Sequence, residues 1–383
     1  MQRARGARRR GFLGGLACLP WMADAPAAAA RGLVVAQVAP FSGPTADDAK
    51  GLFAGAAACF AAHNQRGQGP RIELLPFDDG LSPQKTVQLW REVAATHRPL
   101  AFLYPVSPPC VEAVLSAQLP AQLGIPLLGT MPAMQKWRAA VDPWVFHVGV
   151  GEDVQMRKLA EHAAALGVRR IGIAYWDAPA VRETIAAFVR IAAARGLAVA
   201  ADCPTPVQGG EAAAGAVAAR MTQAGVQAAM CFLPTVEAAA LARRLREADN
   251  RCFLYGLSFI ESRLLFERAG ARNAVGFGLS QYLPNPFDAH RPLVARYQAD
   301  LGRHGPAGAQ VGVLSFEGYV AATLLLAALG GAAQASPAGV RAGLEALRRV
   351  DLGGLVADYS ERKHVGLDFI DLGVVVDGGR MVY

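Results

Sequence analysis

At 383 residues, with 53% hydrophobic and 18% charged side chains, the chain is too long for one ordinary domain and too apolar for a disordered polymer. Its formal charge of +7 imitates a nucleic-acid binder, but Arg3, Arg5, Arg8, Arg9 and Arg10 all precede the first acid, Asp24. Removing those five from +7 leaves about +2, which provides no phosphate-binding patch.

The first thirty residues read as an export signal: a basic start, the short apolar stretch "GFLGGLACLPWM", then the small residues "ADAPAAAA" suited to cleavage. Arg9-Arg10-Gly11-Phe12-Leu13 resembles the twin-arginine signal of proteins exported already folded. The apolar stretch falls well short of the ~20 residues that span a bilayer, so removal of residues 1–30 and a periplasmic location are expected. Five cysteines would remain, Cys59, Cys110, Cys203, Cys231 and Cys252. They are odd in number and far apart, which excludes a zinc framework or a disulfide scaffold and predicts buried free thiols.

From residue 33 the strand "LVVAQVAP" breaks at Phe41-Ser42-Gly43-Pro44 before an alanine-rich helix. Open α/β sheets bind ligands just outside the carboxyl ends of their strands, so this turn, with Ser42, is a candidate cleft edge. Further apolar runs follow as strands: "RIELLPFDD", "LAFLYPV", "IPLLGT", "RRIGIAYW", "GLAVAADC", "VQAAMCFLP", "CFLYGLSF" and "VGFGLSQYLP". Between most of them lie helical stretches with apolar residues three and four apart, such as "SPQKTVQLWREVAAT" and "TVEAAALARRLREAD". Ser82-Pro83 reads as a cap with a first-turn proline, and Gly167, Gly196 and Gly225 as helix stops. Strands apolar on both faces mean parallel sheets covered on both sides, and their number calls for an α/β protein of two Rossmann-like lobes. After residue 283 come three helices, then a hairpin around Asp377-Gly378-Gly379.

No catalytic constellation is present in the sequence. The histidines are scattered, there is no G-x-S-x-G elbow or Walker loop, and "VGFGLS" lacks a full dinucleotide fingerprint. The paired acids Asp78-Asp79 read as a solvated loop pair. The sequence therefore predicts a binder, with no catalytic residue, metal or cofactor.

From residue 33 to residue 383 the chain resembles the periplasmic solute-binding proteins of ABC transporters, in the leucine/isoleucine/valine-binding branch. The strings "VAPFSGP", "IELLPFDDGLSPQKTV", "GIPLLGT", "LGVRRIGIAYWD", "LSFIESRLL", "SQYLPNPFD", "VLSFEGYVAATLL" and "LGGLVADYSERKHVGLDFIDLGVV" recur in that family's order. The resemblance implies two lobes joined by three crossovers, near Trp144 to His147, Ser280 to Pro284 and Asp351 to Leu355. Lobe one is then 33–147 plus 284–350, and lobe two 148–283 plus 351–383.

It also implies the ligand contacts. Lobe one contributes Ser107, Pro108, Thr130 and Met131, whose hydroxyls and amides suit an anion. Lobe two contributes Trp176, Ala180, Thr235, Ser258 and Phe259, with Gln281 beside the second crossover. Two tyrosines and an acid that contact ligand in amino-acid-binding members match Ala180, Pro234 and Ser258 here. The implied solute is small and organic, amino acid-like or a carboxylate, and these departures favour one without a free ammonium. The expected partners are a small molecule and a membrane permease, with no nucleic acid and a monomeric protein. A periplasmic sensor coupled to a signalling partner is the alternative, ahead of an exported enzyme.

Overall fold

The computed structural model describes residues 32–383 except Gln68 and Gln208, so the export signal read in residues 1–30 lies outside the described residues. Chain order begins with β1 (Leu33–Ala39), α1 (Ala46–Arg66), β2 (Ile72–Asp78), α2 (Pro83–His97) and β3 (Phe102–Leu103). Next come α3 (Pro108–Ser116), α4 (Leu119–Leu123), β4 (Leu127–Leu128) and β5 (Val145–Phe146). These strands form a wholly parallel five-stranded sheet in the order β2-β1-β3-β4-β5.

A second run follows: α5 (Glu152–Ala165), β6 (Arg170–Trp176), α6 (Pro179–Ala193), β7 (Ala198–Thr205), α7 (Gly210–Gln223), β8 (Ala228–Phe232), α8 (Thr235–Glu247), β9 (Phe253–Gly256), α9 (Ser262–Ala269), α10 (Ala271–Ala274) and β10 (Gly278–Gln281). Three helices, α11 (Pro292–His304), α12 (Val313–Gly331) and α13 (Pro337–Glu345), precede the short pair β11 (Val350–Asp351) and β12 (Val356–Ala357). The chain closes with β13 (Asp371–Val375) and β14 (Met381–Val382), which extend the second sheet antiparallel in the order β14-β13-β10-β9-β8-β6-β7. The three late helices and the terminal hairpin stand where the sequence put them.

Local chemistry explains the boundaries. The Ser82 hydroxyl accepts from the Lys85 N–H at the start of α2, and Gly167, Gly196 and Gly225 take positive φ after α5, α6 and α7. The runs expected as full strands at "LAFLYPV" and "IPLLGT" pair over only two residues each. Tyr104 at φ 36°, followed by Pro105, and Gly129 at φ 83° turn the chain out of the ladder there. Val145 and Phe146, inside the stretch expected as the first crossover, pair with β4 as an edge strand of the first sheet.

Helix α12 is apolar and 19 residues long, yet most of it is buried: it packs on α1 and α13 as a core helix. Glycines let α1 and α12 approach backbone to backbone. A Cβ on Gly55 would overlap the Ser315 carbonyl, and one on Gly318 would overlap that of Leu52. All five cysteines from residue 59 onward are buried and free.

Candidate functional site

The carboxyl ends of strands from both sheets converge on one cavity with an empty volume of ≈ 570 Å³, open solvent at its mouth included. From the first sheet's side come Thr45 before α1 and Asp48 in its first turn, Val106 and Ser107 between β3 and α3 with Pro108 at the start of α3, and Met131, Pro132 and Met134 after β4. From the second come Glu152 and Met156 of α5, Trp176 at the end of β6, Val181, Thr184 and Ile185 of α6, Phe232 and Pro234 around the end of β8, and Leu257 and Phe259 after β9. The wall is largely apolar, as small-molecule sites are, so the few polar groups in it determine what it accepts.

Thr45 and Ser107 are buried, and neither hydroxyl has a hydrogen-bond partner among the described residues. A buried hydroxyl left unpaired costs free energy that a ligand can recover. Ser107 also sits at φ 82°, a backbone state unfavourable for a residue with a Cβ.

Two of the amides expected to hold an anion, those of Ser107 and Met131, are already engaged. The Ser107 N–H donates to the Met131 carbonyl at 2.8 Å and the Met131 N–H to the Pro105 carbonyl at 3.2 Å. Prolines at 108, 109 and 132 carry no N–H at all.

Two carboxyl groups that the sequence analysis did not place line the cavity. Asp48 stands in the first turn of α1, and burial raises its pKa well above the ordinary value, with the charges of Asp47 and Glu261 adding to the effect. Burial pushes the Glu152 carboxyl up to about 8, although nearby Arg138 pulls the other way. Among the described lining residues there is no Lys, Arg or His. Both acids begin helices, where the macrodipole alone accounts for acidic residues. The available signal for Asp48 was its place in "SGPTADD", directly after the turn already read as a cleft edge.

Trp176 is fixed by donating its indole N–H to Glu237 Oε2 at 2.5 Å. An ionisable cluster adjoins Glu152: Glu317, Tyr104 and Tyr282 are buried and Arg138 is half-buried, with burial raising Glu317 to about 7. The Tyr104 and Tyr282 rings pack against Gly129 and Gly149, where a Cβ would not fit.

Of the residues proposed from sequence, Ser107, Pro108, Met131, Trp176 and Phe259 meet at the cavity wall. The other six are placed outside that lining. Ser42 instead closes the first turn, its hydroxyl donating to Asp78 Oδ2 at 2.7 Å. Thr235 accepts from the Glu261 N–H at 2.9 Å, and the Ser258 N–H donates to Gln155 Oε1 at 3.1 Å. Thr130 and Gln281 are buried with Oγ1 and Nε2 unpartnered, and Ala180 is buried in the first turn of α6. The Asp78-Asp79 pair serves the same turn and is not a solvated pair throughout. Asp79 is fully buried and accepts from Thr86 Oγ1 at 2.8 Å.

Residues 33–375 match the family described as periplasmic binding protein. The chain belongs to that family. This periplasmic binding protein is similar in structure to an extracellular ligand-binding receptor from Verminephrobacter eiseniae, with a TM-score of 0.85 and 24% identity over 92% of this chain and 100% of the other. A substrate-binding periplasmic protein from Ralstonia solanacearum gives 0.85 at 28% identity, over 91% and 99%. A branched-chain amino acid ABC transporter structure from Thermus thermophilus with bound valine gives 0.80 at 16%, over 92% and 95%. No curated protein matches the sequence. The family and the two-lobed α/β fold expected from the resemblance are thus those of this chain, and they are the family and fold of solute-binding receptors.

Proposed function

We propose that this periplasmic binding protein is the solute-binding component of an ABC importer, located in the periplasm, that encloses a small organic solute between its lobes and presents it to a membrane permease. The observation that carries the reading is the apolar cavity at the carboxyl ends of both sheets, with the Thr45 and Ser107 hydroxyls buried and unpaired in its wall. A nucleophile paired with a base is the minimum for covalent catalysis, and no such pair lines the cavity among the described residues, which favours binding over turnover.

In this reading lobe one is 33–147 plus 284–365, and lobe two is 148–283 plus 366–383. The third crossing is better placed after Val365 than near Asp351 to Leu355. The His147 N–H donates to the His364 carbonyl at 2.7 Å and Tyr359 OH to the His147 carbonyl at 2.9 Å, which ties this segment to the β5 edge. Closure of two lobes on a solute changes the outer surface, the signal a permease needs.

The test is native mass spectrometry of the mature protein for a captured solute, followed by solution scattering with and without it. A smaller radius of gyration and a raised melting temperature with solute are expected. Tight binding without compaction would count against the clamp.

A further inference from the structure

The ionisable side chains in the cavity wall, Asp48 and Glu152, are both acids, and no base lines it among the described residues. We infer that the cavity selects a solute with an apolar aliphatic or aromatic body and a positively charged nitrogen head, the head received by Asp48 together with the Thr45 and Ser107 hydroxyls. The inference rests on the solute-binding reading and deepens it by naming the solute class.

Three independent features support it. Thr45 and Asp48 are three residues apart at the start of α1, a spacing that sets two side chains on one helix face, and both line the cavity. Asp48 is only 5% exposed, and neither a hydrogen bond nor an ion pair satisfies its carboxyl among the described residues. The charged groups that act on it are Asp47 on its own helix and Glu261 at the start of α9, both acids. A buried carboxyl in that position lacks a cation, and an ammonium with its N–H donors supplies one.

The opposite case meets two obstacles. A carboxylate head would enter beside Asp48 and Glu152 with no basic side chain in the described wall to offset it. The amides of Ser107 and Met131, which could have served it, are already donating to the Met131 and Pro105 carbonyls. The expectation of a ligand without ammonium, drawn from Ala180, Pro234 and Ser258, is reversed here because the acid comes from α1 in lobe one.

The experiment is calorimetry on the mature protein, freed of captured solute, with matched probes: 3-methylbutylamine, 4-methylpentanamide and 4-methylpentanoate, then phenethylamine and 3-phenylpropanoate, with leucine beside them. An amine should bind roughly tenfold or more tighter than its carboxylate partner, with the amide between. Asp48→Asn should weaken the amine by roughly ten- to a hundredfold and narrow the gap to the carboxylate, while leaving the fold intact by circular dichroism. Thr45→Ala and Ser107→Ala should each weaken it by a smaller factor. A carboxylate or leucine that binds tighter than either amine overturns the inference, as does Asp48→Asn leaving amine affinity within twofold.

If no amine binds, the solute captured by the native protein decides. A cationic solute that compacts the protein and loses affinity in Asp48→Asn supports the inference. A neutral or anionic one that compacts it overturns the charge assignment and leaves the solute-binding reading standing. No captured solute and no compaction overturns both.

Discussion

Ser107 holds two costs at once, a φ of 82° and a hydroxyl without a partner. A backbone state of this kind costs on the order of 1–3 kcal/mol and persists where the surroundings enforce it. Ser107→Gly should therefore raise stability by about 1 kcal/mol in urea unfolding while weakening solute binding, a split between stability and affinity that an ordinary turn serine would not give. Trp176 presents the reverse arrangement. Trp176→Phe removes the indole donor and leaves the Glu237 carboxyl with only the Gly210 N–H at 3.5 Å. Burial already raises the Glu237 pKa, and losing the indole that opposes this raises it further. The variant should lose about 1–3 kcal/mol, more at pH 8 than at pH 5, because ionising the stranded carboxyl becomes harder as the solution favours it. Equal losses at both pH values would show that the indole contributes packing alone.

At the scale of elements, the crossing of α1 and α12 fixes where Thr45 and Asp48 sit, because Thr45 caps α1 and Asp48 lies in its first turn. Gly55 and Gly318 permit that crossing. A methyl at either would collide with backbone rather than with a side chain able to move, so Gly55→Ala or Gly318→Ala should cost roughly 2–4 kcal/mol despite alanine's higher helix propensity. Gly215 in α7 meets nothing within 4 Å, and Gly215→Ala should stabilise by roughly 0.5–1 kcal/mol as the internal control. Thermal unfolding of the three variants separates crowding from propensity. Glu261 ties other elements together. Its carboxyl accepts from the Arg263 N–H at 3.4 Å in α9 and from the Leu314 N–H at 3.1 Å at the start of α12, so one side chain serves two helix starts.

For the whole molecule, the buried carboxyls of Glu152 and Glu317, near half-buried Arg138, set the pH response. Burial raises the folded-state pKa of Glu317 to about 7 and of Glu152 to about 8, both above the ordinary 4.5. Groups raised in this way stabilise fully below the unfolded value, and that contribution is lost as pH rises through the folded values. The melting temperature should therefore fall between about pH 5 and pH 8 in the solute-free protein. Glu317→Gln, which keeps shape and removes the ionisation, should flatten that fall and be relatively more stable at pH 8, by up to a few kcal/mol. A fall unchanged in this variant would place its origin elsewhere.

Much of this architecture was legible in the sequence because its causes are local. Continuous apolar runs such as "RIGIAYW" and "AAMCF" are buried on both faces and so mark parallel strands, and Gly167, Gly196 and Gly225 mark helix ends by backbone freedom alone. The order of these elements determined two lobes and a site at the carboxyl ends of the strands. Tertiary structure alone decided which side chains reach that site. Asp48, Glu152 and Glu237 are first-turn acids whose local pattern is the same as that of Asp47, yet three of these four are buried and Asp47 is exposed. The difference lies in which face of each helix the packing covers. Likewise the amides of Ser107 and Met131 are free donors on paper and become unavailable only when their two loops meet and satisfy each other. Burial and pairing depend on residues distant in the chain, and they determine the sign of charge the cavity accepts.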